Sequence, residues 1–322
     1  MSGMRLVSVA ARIALVPAVG IAGLSVSMTR ADAAGNVTVC ARGCAYSTIA
    51  AALATATSGE VINVRAGTYD GGFVVWTPVT LKGDGPGRTI IRGGAANAGT
   101  VVTVNANPVT IMGVSITGAS WTSGSGLVGS GVITNSGAVL NLVDTYIYGN
   151  RGGTAGGGGG LNSYGTTNIT AGAISGNAAG TAADPGQGGG IHIGSHGVVN
   201  MLFSALWGNS AGWGGGIDID QGGVLSANLV AITTNTATHQ GGGVDNNGSM
   251  TITRSLLFKN TATQGGGIMD NGPATLTRTL VQLNSATGGA GNGGGAYVTA
   301  GNTMNVFSSA ITSNTPDNMV HA

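Results

Sequence analysis

Through the second half of the chain, short apolar runs recur and each closes on an asparagine. The runs are "DTYIYGN", "AGAISGN", "SALWGN", "VAITTN", "SLLFKN", "LVQLN" and "SAITSN", with the asparagines at 150, 177, 209, 235, 260, 284 and 314. Three residues ahead of each stands an aliphatic side chain: Ile147, Ile174, Leu206, Ile232, Leu257, Val281 and Ile311. Glycine triplets alternate with them, ending at Gly160, Gly190, Gly216, Gly243, Gly267 and Gly295. From the end of a triplet to the next Asn the chain takes 17 to 19 residues (160 to 177 and 190 to 209, for instance), whereas from an Asn to the next triplet it takes 5 to 11 (209 to 214 and 177 to 188). One arc of fixed length and one of variable length describe a solenoid with loops on one side.

Inside the fixed arcs, "SMTITRSLLF" and "ATLTRTLVQL" are rich in Thr, Val, Ile and Leu with near period-2 alternation, broken by Gly, Asn and Ser. That pattern predicts two or three short strands per repeat. The fold class is therefore all-β: a single-stranded parallel β-helix of nine or ten coils. Stacked strands lie ~4.8 Å apart, which places each aliphatic residue over its counterpart. The asparagines fit corners, where Asn tolerates left-handed φ and its amide can bond the neighbouring coil. Upstream, "YSTIAAALATA" (Tyr46 to Ala56) has helical spacing with Ser47 as a plausible N-cap, and predicts a short helix covering the first coil. Residues 34–100 then hold this cap and the first coils, and 101–322 the repeat coils.

Composition changes the picture in two places. Glycine supplies 62 of 322 residues while only 7% are charged and the net charge is +1. No basic surface for nucleic acid can be assembled from so few cations. At the front, Arg5 and Arg12 precede an apolar run from Ile13 to Val26, and Ala31-Asp32-Ala33 has the small-x-small pattern of a signal-peptidase site. Residues 1–33 are expected to be a signal peptide cleaved after Ala33, giving a secreted product with no membrane span afterwards. Cys40 and Cys44, the two cysteines, fit a short disulfide clip in that setting.

"YSTIAAAL", "EVINVRAGTY" and "PVTLKGDGPGRTIIRG" together resemble the entry segment of secreted right-handed parallel β-helix proteins of the pectin-lyase-like fold. The Gly-Gly-Gly-Ile and closing-Asn repeats are similar to those of polymorphic outer-membrane-type bacterial surface proteins. The resemblance covers nearly the whole mature chain and implies an extracellular or cell-surface solenoid, through motifs that are scaffold motifs.

The columns beside the triplets carry the candidate chemistry. One holds Asn162, His192, Asp218, Asp245, Met269 and Tyr297; the other holds Tyr164, Gly194, Asp220, Asn247, Asn271 and Thr299. With Leu161, Ile191, Ile217, Val244 and Ile268 pointing inward, both columns are expected to face solvent, with Asp245 stacked on Asp218. Asp218 and Asp245 could then act as acid and nucleophile, or Asp218 and Asp220 could hold calcium; no other cofactor is expected. A second set is aromatic: Tyr148, Trp207 and Phe258 recur on every second coil two residues before the Asn, with Trp213 on a nearby loop. Arg254 and Arg278 share a further column, six residues before their Asn. The reading placed first is a non-catalytic secreted or cell-surface protein that engages a polysaccharide or another surface component. The second is a polysaccharide lyase or other carbohydrate-active enzyme acting on acidic glycans. An inert solvated face is the third, and oligomeric state is left open.

Overall fold

One turn of the chain shows how the repeat is built. Strand Leu161–Ser163 is followed by Thr166–Thr170, Ala173–Ser175 and Ala178–Ala179, after which the chain reaches Gly188 and starts again at Ile191. The next turn lies on the first in parallel register, with Leu161 opposite Ile191, Thr166 opposite Val198, Ala173 opposite Ala205 and Ala178 opposite Ser210. Repetition gives four parallel sheets, and the protein is an all-β solenoid of about ten turns, as the spacing predicts. The wide sheet has eleven strands, from Val37–Val39 to Met304–Phe307. Two sheets have ten: the site sheet (Phe73–Val75 to Met319–His321) and the corner sheet (Gly67–Asp70 to Ala310–Thr312). A short sheet of six runs from Arg151–Gly152 to Ser285–Ala286. This computed structural model describes residues 37–93, 99–121, 129–153, 157–181 and 183–322, so the expected signal segment and its cleavage point at Ala33 lie outside the described residues.

The aliphatic column fills the interior. Ile147, Ile174, Leu206, Ile232, Leu257 and Val281 are all buried, while Ile311 on the last coil is half-buried. Each fully buried side chain of this size contributes ~1.5 to 3 kcal/mol, so the column alone is a sufficient reason for the coils to stack.

At the N-terminal end the expected helix spans Ile49–Thr55 and buries Ile49 and Ala52. Its cap is Thr48, one residue later than the expected Ser47: the Thr48 side chain accepts a hydrogen bond from the Ala51 N–H at 3.2 Å. Strand Val37–Val39 pairs with Glu60–Val64, and Cys40 and Cys44 are joined by the expected disulfide. Among the described residues no helix is long and apolar enough to cross a membrane.

The asparagines behave differently from the expectation in one respect. They do not occupy the left-handed corner; the residue before each does. Thr234, Lys259, Leu283 and Ser313 have φ between 54° and 56°, and Gly149, Gly176 and Gly208 fill the same place in earlier coils. L-residues pay roughly 1 to 2 kcal/mol for that conformation. The turn it makes swings each Asn side chain inward, where all seven are buried. The Asn209 amide Nδ2 donates to Asn235 Oδ1 at 2.9 Å and to the Ile174 carbonyl at 3.0 Å, and the Asn209 backbone N–H donates to the same Asn235 Oδ1 at 3.0 Å. The same bonds link Asn150 to Asn177 and continue through Asn260 and Asn284 to Asn314. Asn235→Ala removes one rung and strands its partners in a dry interior. We expect a loss of about 2 to 4 kcal/mol in chemical denaturation, against no more than about 0.5 kcal/mol for the exposed Thr251→Ala.

Asp270 is a second polar residue inside the coil. It is buried, accepts from Asn246 Nδ2 at 2.7 Å, and has no partner at Oδ2. Burial raises its pKa to about 6, against the lowering effect of hydrogen bonds from Asn246 and the Gly272 backbone. The fold thus favours the neutral acid. Its contribution is complete below the unfolded value near 4 and is lost as pH rises through about 6, a swing of roughly 3 kcal/mol. Asp270→Asn should flatten this part of the stability curve between pH 4 and 6.5, read as melting temperature against pH.

Candidate functional site

The polar column of the site sheet lies in register across four coils. Asn162 pairs with His192, His192 with Asp218, and Asp218 with Asp245, flanked by Ile133 before and Met269 after. The stacking of Asp245 on Asp218 is as expected, but the exposure is not. Asn162, His192, Asp218 and Asp245 are buried, with Asp218 at 0% exposure. The cover is the chain itself. Gly214, the first glycine of its triplet, has φ +58° and folds back over the strand it is about to enter, so a Cβ there would lie 2.6 Å from Asp218 Cα. Gly241 (φ +63°) does the same over Asp245. In the other column Asp220 is half-buried and Asn247 exposed.

His192 organises the cluster. Its Nδ1 is 2.8 Å from Asn162 Oδ1, and its Nε2 is 3.2 Å from Asp220 Oδ2 and 3.6 Å from Asp218 Oδ2. Tyr164 packs edge-on against the imidazole with ring centroids 6.1 Å apart, and its hydroxyl accepts from Asn162 Nδ2 at 3.3 Å. Gly194 permits this, since a Cβ there would be 2.4 Å from the Tyr164 ring.

The carboxylates are under electrostatic stress. Asp218 has its pKa raised well above the usual range, first by burial and then by the charges of Asp245 and Asp220. Asp245 is pushed up to about 7 by burial and by Asp220. Asp218 Oδ1 and Oδ2 and Asp245 Oδ1 have no hydrogen-bond partner. Buried polar atoms are nearly always satisfied; these three are half of the six unpartnered ones among the described residues, the others being on Asn228, Asn246 and Asp270.

Asp218 and Asp245 also help line an open depression of about 420 Å³, together with Gln187, Trp213, Gln240 and Asn247, with the three oxygens themselves shut off from solvent beneath it. Its wall is a column the repeat reading passed over, the residue immediately before each triplet. Gln187 bridges to Trp213, Trp213 pairs with Gln240, and Gln240 bridges to Gln264. The Gln240 amide donates to Gln264 Oε1 at 3.0 Å, and the Trp213 indole stacks on His239 at 4.6 Å. The thrice-repeated "QGGG" was the available signal.

The other expected binding residues lie elsewhere. Tyr148, Trp207 and Phe258 belong to the corner sheet, where Trp207 is 42% exposed and Lys259 Nζ sits 5.2 Å from the centroid of the Phe258 ring. Arg254 and Arg278 are exposed, in left-handed conformation, at the turn between the wide sheet and the corner sheet. None of these five lines the depression.

No protein-family model matches the chain, and no curated protein matches it. Among solved structures it is similar to a pectin methylesterase from Aspergillus niger, at 15% identity and TM-score 0.47, covering 91% of each chain. It is similar to a pectin methylesterase from carrot, at 14% and 0.43, covering 91% of this chain and 90% of that one. It is also similar to an alginate lyase from a Paenibacillus species, at 17% and 0.45, covering 80% of this chain and 94% of that one. At such identities no residue role is transferred.

The fold-back over the carboxylates is testable against a matched control. Gly222 also has positive φ (+85°), but a Cβ there would meet nothing closer than 3.7 Å. Gly222→Ala should cost about 1 to 2 kcal/mol, the left-handed penalty alone. Gly214→Ala should cost clearly more in the same denaturation assay, because the backbone over Asp218 must move.

Proposed function

We propose that the protein is a carbohydrate-active enzyme whose depression takes a segment of polysaccharide against Asp218 and Asp245. The observation that carries this reading is an open depression lined by two stacked aspartates whose unpartnered oxygens lie just beneath its surface. The Trp213 ring offers an apolar face to a sugar, and Gln187, Gln240 and Asn247 offer amides around it. Asp218 acts as proton donor to the departing oxygen and Asp245 as nucleophile or base. Adjacent strands lie ~4.8 Å apart, near the ~5 to 5.5 Å carboxyl separation of retaining glycosidases.

This reading departs from the sequence in two ways. It places catalysis ahead of passive binding, because two aspartates stacked on adjacent coils beside an open depression are the arrangement an acid and a nucleophile need. It also favours an uncharged stretch of glycan over an acidic one, since no lining residue is basic and a uronate would meet like charge. The disulfide and the expected leader at 1–33 support action outside the cytoplasm.

Release of reducing ends from a panel of neutral and acidic polysaccharides tests the proposal. Turnover is expected on a neutral glycan, with losses of at least ~100-fold in Asp218→Asn and Asp245→Asn. Trp213→Ala should raise KM about tenfold, and Trp207→Ala should change neither constant. Binding without turnover across the panel would return the protein to the non-catalytic reading; absence of both would remove carbohydrate altogether.

A further inference from the structure

The hydrogen-bond directions around His192 contain a contradiction that a cation resolves. Asn162 donates its Nδ2 to the Tyr164 hydroxyl, so its Oδ1 faces the ring and His192 Nδ1 must be the donor across that 2.8 Å contact. In the neutral imidazole this leaves a lone pair on Nε2. That lone pair faces Asp220 Oδ2 at 3.2 Å and Asp218 Oδ2 at 3.6 Å, two more acceptors. With Asp218 ionised, three acceptors converge on one point and repel unless something positive lies between them.

A proton on Nε2 answers only part of this. It would bond Asp220 at 3.2 Å, but 3.6 Å to Asp218 is beyond hydrogen-bond reach, and both Asp218 oxygens stay unpartnered at zero exposure. A metal ion centred among the three atoms takes His192 Nε2, Asp220 Oδ2 and Asp218 Oδ2 as ligands at once. Their ligand atoms lie within 4.8 Å of one another. Bonds of ~2.0 to 2.1 Å at tetrahedral angles put ligand atoms ~3.3 Å apart, close to the two separations found here.

We infer that His192 Nε2, Asp218 and Asp220 form a binding site for a divalent transition-metal ion of the zinc type. The imidazole is oriented by a polar partner on its other nitrogen, as metal-bound histidines are. One nitrogen and two carboxylates in a compact, fixed cluster suit zinc and its neighbours. Calcium, expected from Asp218 and Asp220 alone, takes six to eight oxygens at 2.3 to 2.6 Å, which this cluster does not offer. Entry is through Asp220, whose side chain is 33% exposed while those of its two partners are at 1%.

The site stands on geometry that does not depend on the proposed enzymatic reading, but its consequence deepens that reading. Asp218 cannot donate a proton while it ligates an ion, so occupancy switches the enzyme off. The free ion, not a substrate, is the ligand to test.

Isothermal titration of zinc chloride into chelator-stripped protein should show one site. Asp220→Asn, a half-exposed change that spares the core, and His192→Gln should each weaken it by more than about tenfold. Asp70→Asn, an exposed carboxylate on the corner sheet far from the cluster in sequence and register, should bind as the wild type does. Cobalt should bind in place of zinc and give the visible absorption of a low-coordinate nitrogen–oxygen site, and millimolar calcium should not displace it. Absence of binding at 1 mM zinc would overturn the inference, as would undiminished affinity in both ligand variants, which would assign the ion to the exposed histidines His196, His239 or His321. Neither result bears on glycan turnover by the stripped protein, so the two proposals fail separately.

Discussion

Close approach of backbone to backbone between successive coils is the constraint from which the rest of the molecule follows. At the triplets there is no room between coils for any side chain: a Cβ on Gly216 would lie 2.5 Å from the Gly243 carbonyl oxygen and 3.1 Å from Asn235 Nδ2. Glycine there is steric necessity, and the asparagine ladder occupies the place beside it. Each amide then ties two coils through side chain and backbone together, which offsets the left-handed turn imposed on Thr234, Lys259 or Leu283. The hydrophobic column contributes most of the stabilisation, but without the glycine and asparagine columns the coils could not come near enough to bury it.

The candidate site arises from the same constraint. Because Gly214 and Gly241 press onto the strands they lead into, side chains on the outer face of the site sheet are removed from water without entering the core. Two aspartates placed there lose solvation and gain each other's charge. A sequence free to choose would have put Ile or Met in the column, as it does at Ile133 and Met269. The scaffold thus carries a local cost confined to the coils that floor the depression.

How much of this was legible in the sequence differs by column. The Ile, Asn and Gly columns repeat in nearly every coil, so spacing alone located them and the solenoid with them. Period-2 alternation correctly set His192, Asp218 and Asp245 on the outer side of their strand, yet it says nothing about what lies above that side. Their burial depends on positive φ at the first glycine of each triplet, +61° at Gly188, +58° at Gly214 and +63° at Gly241. Trp213 and Trp207 look equally suited to a sugar in the sequence; only sheet membership separates them, through a short sheet whose strands are two to five residues long. Gln187 and Gln240 were missed because the residue before a triplet varies among Gly, Gln, Trp and Asn, and variability in a repeat reads as irrelevance.

That variable column has a wider consequence. Every coil contributes one residue to each column, and the columns that fix the fold are distinct from those that face the depression. Substitutions before a triplet can therefore exchange amide for aromatic without disturbing a neighbour's register, whereas insertion of a whole coil between Asp218 and Asp245 would move the pair apart by a further strand spacing. Change in such a molecule is partitioned: the residue before each triplet can be exchanged one rung at a time, while the stacked aspartate pair survives only if no coil is inserted between its members.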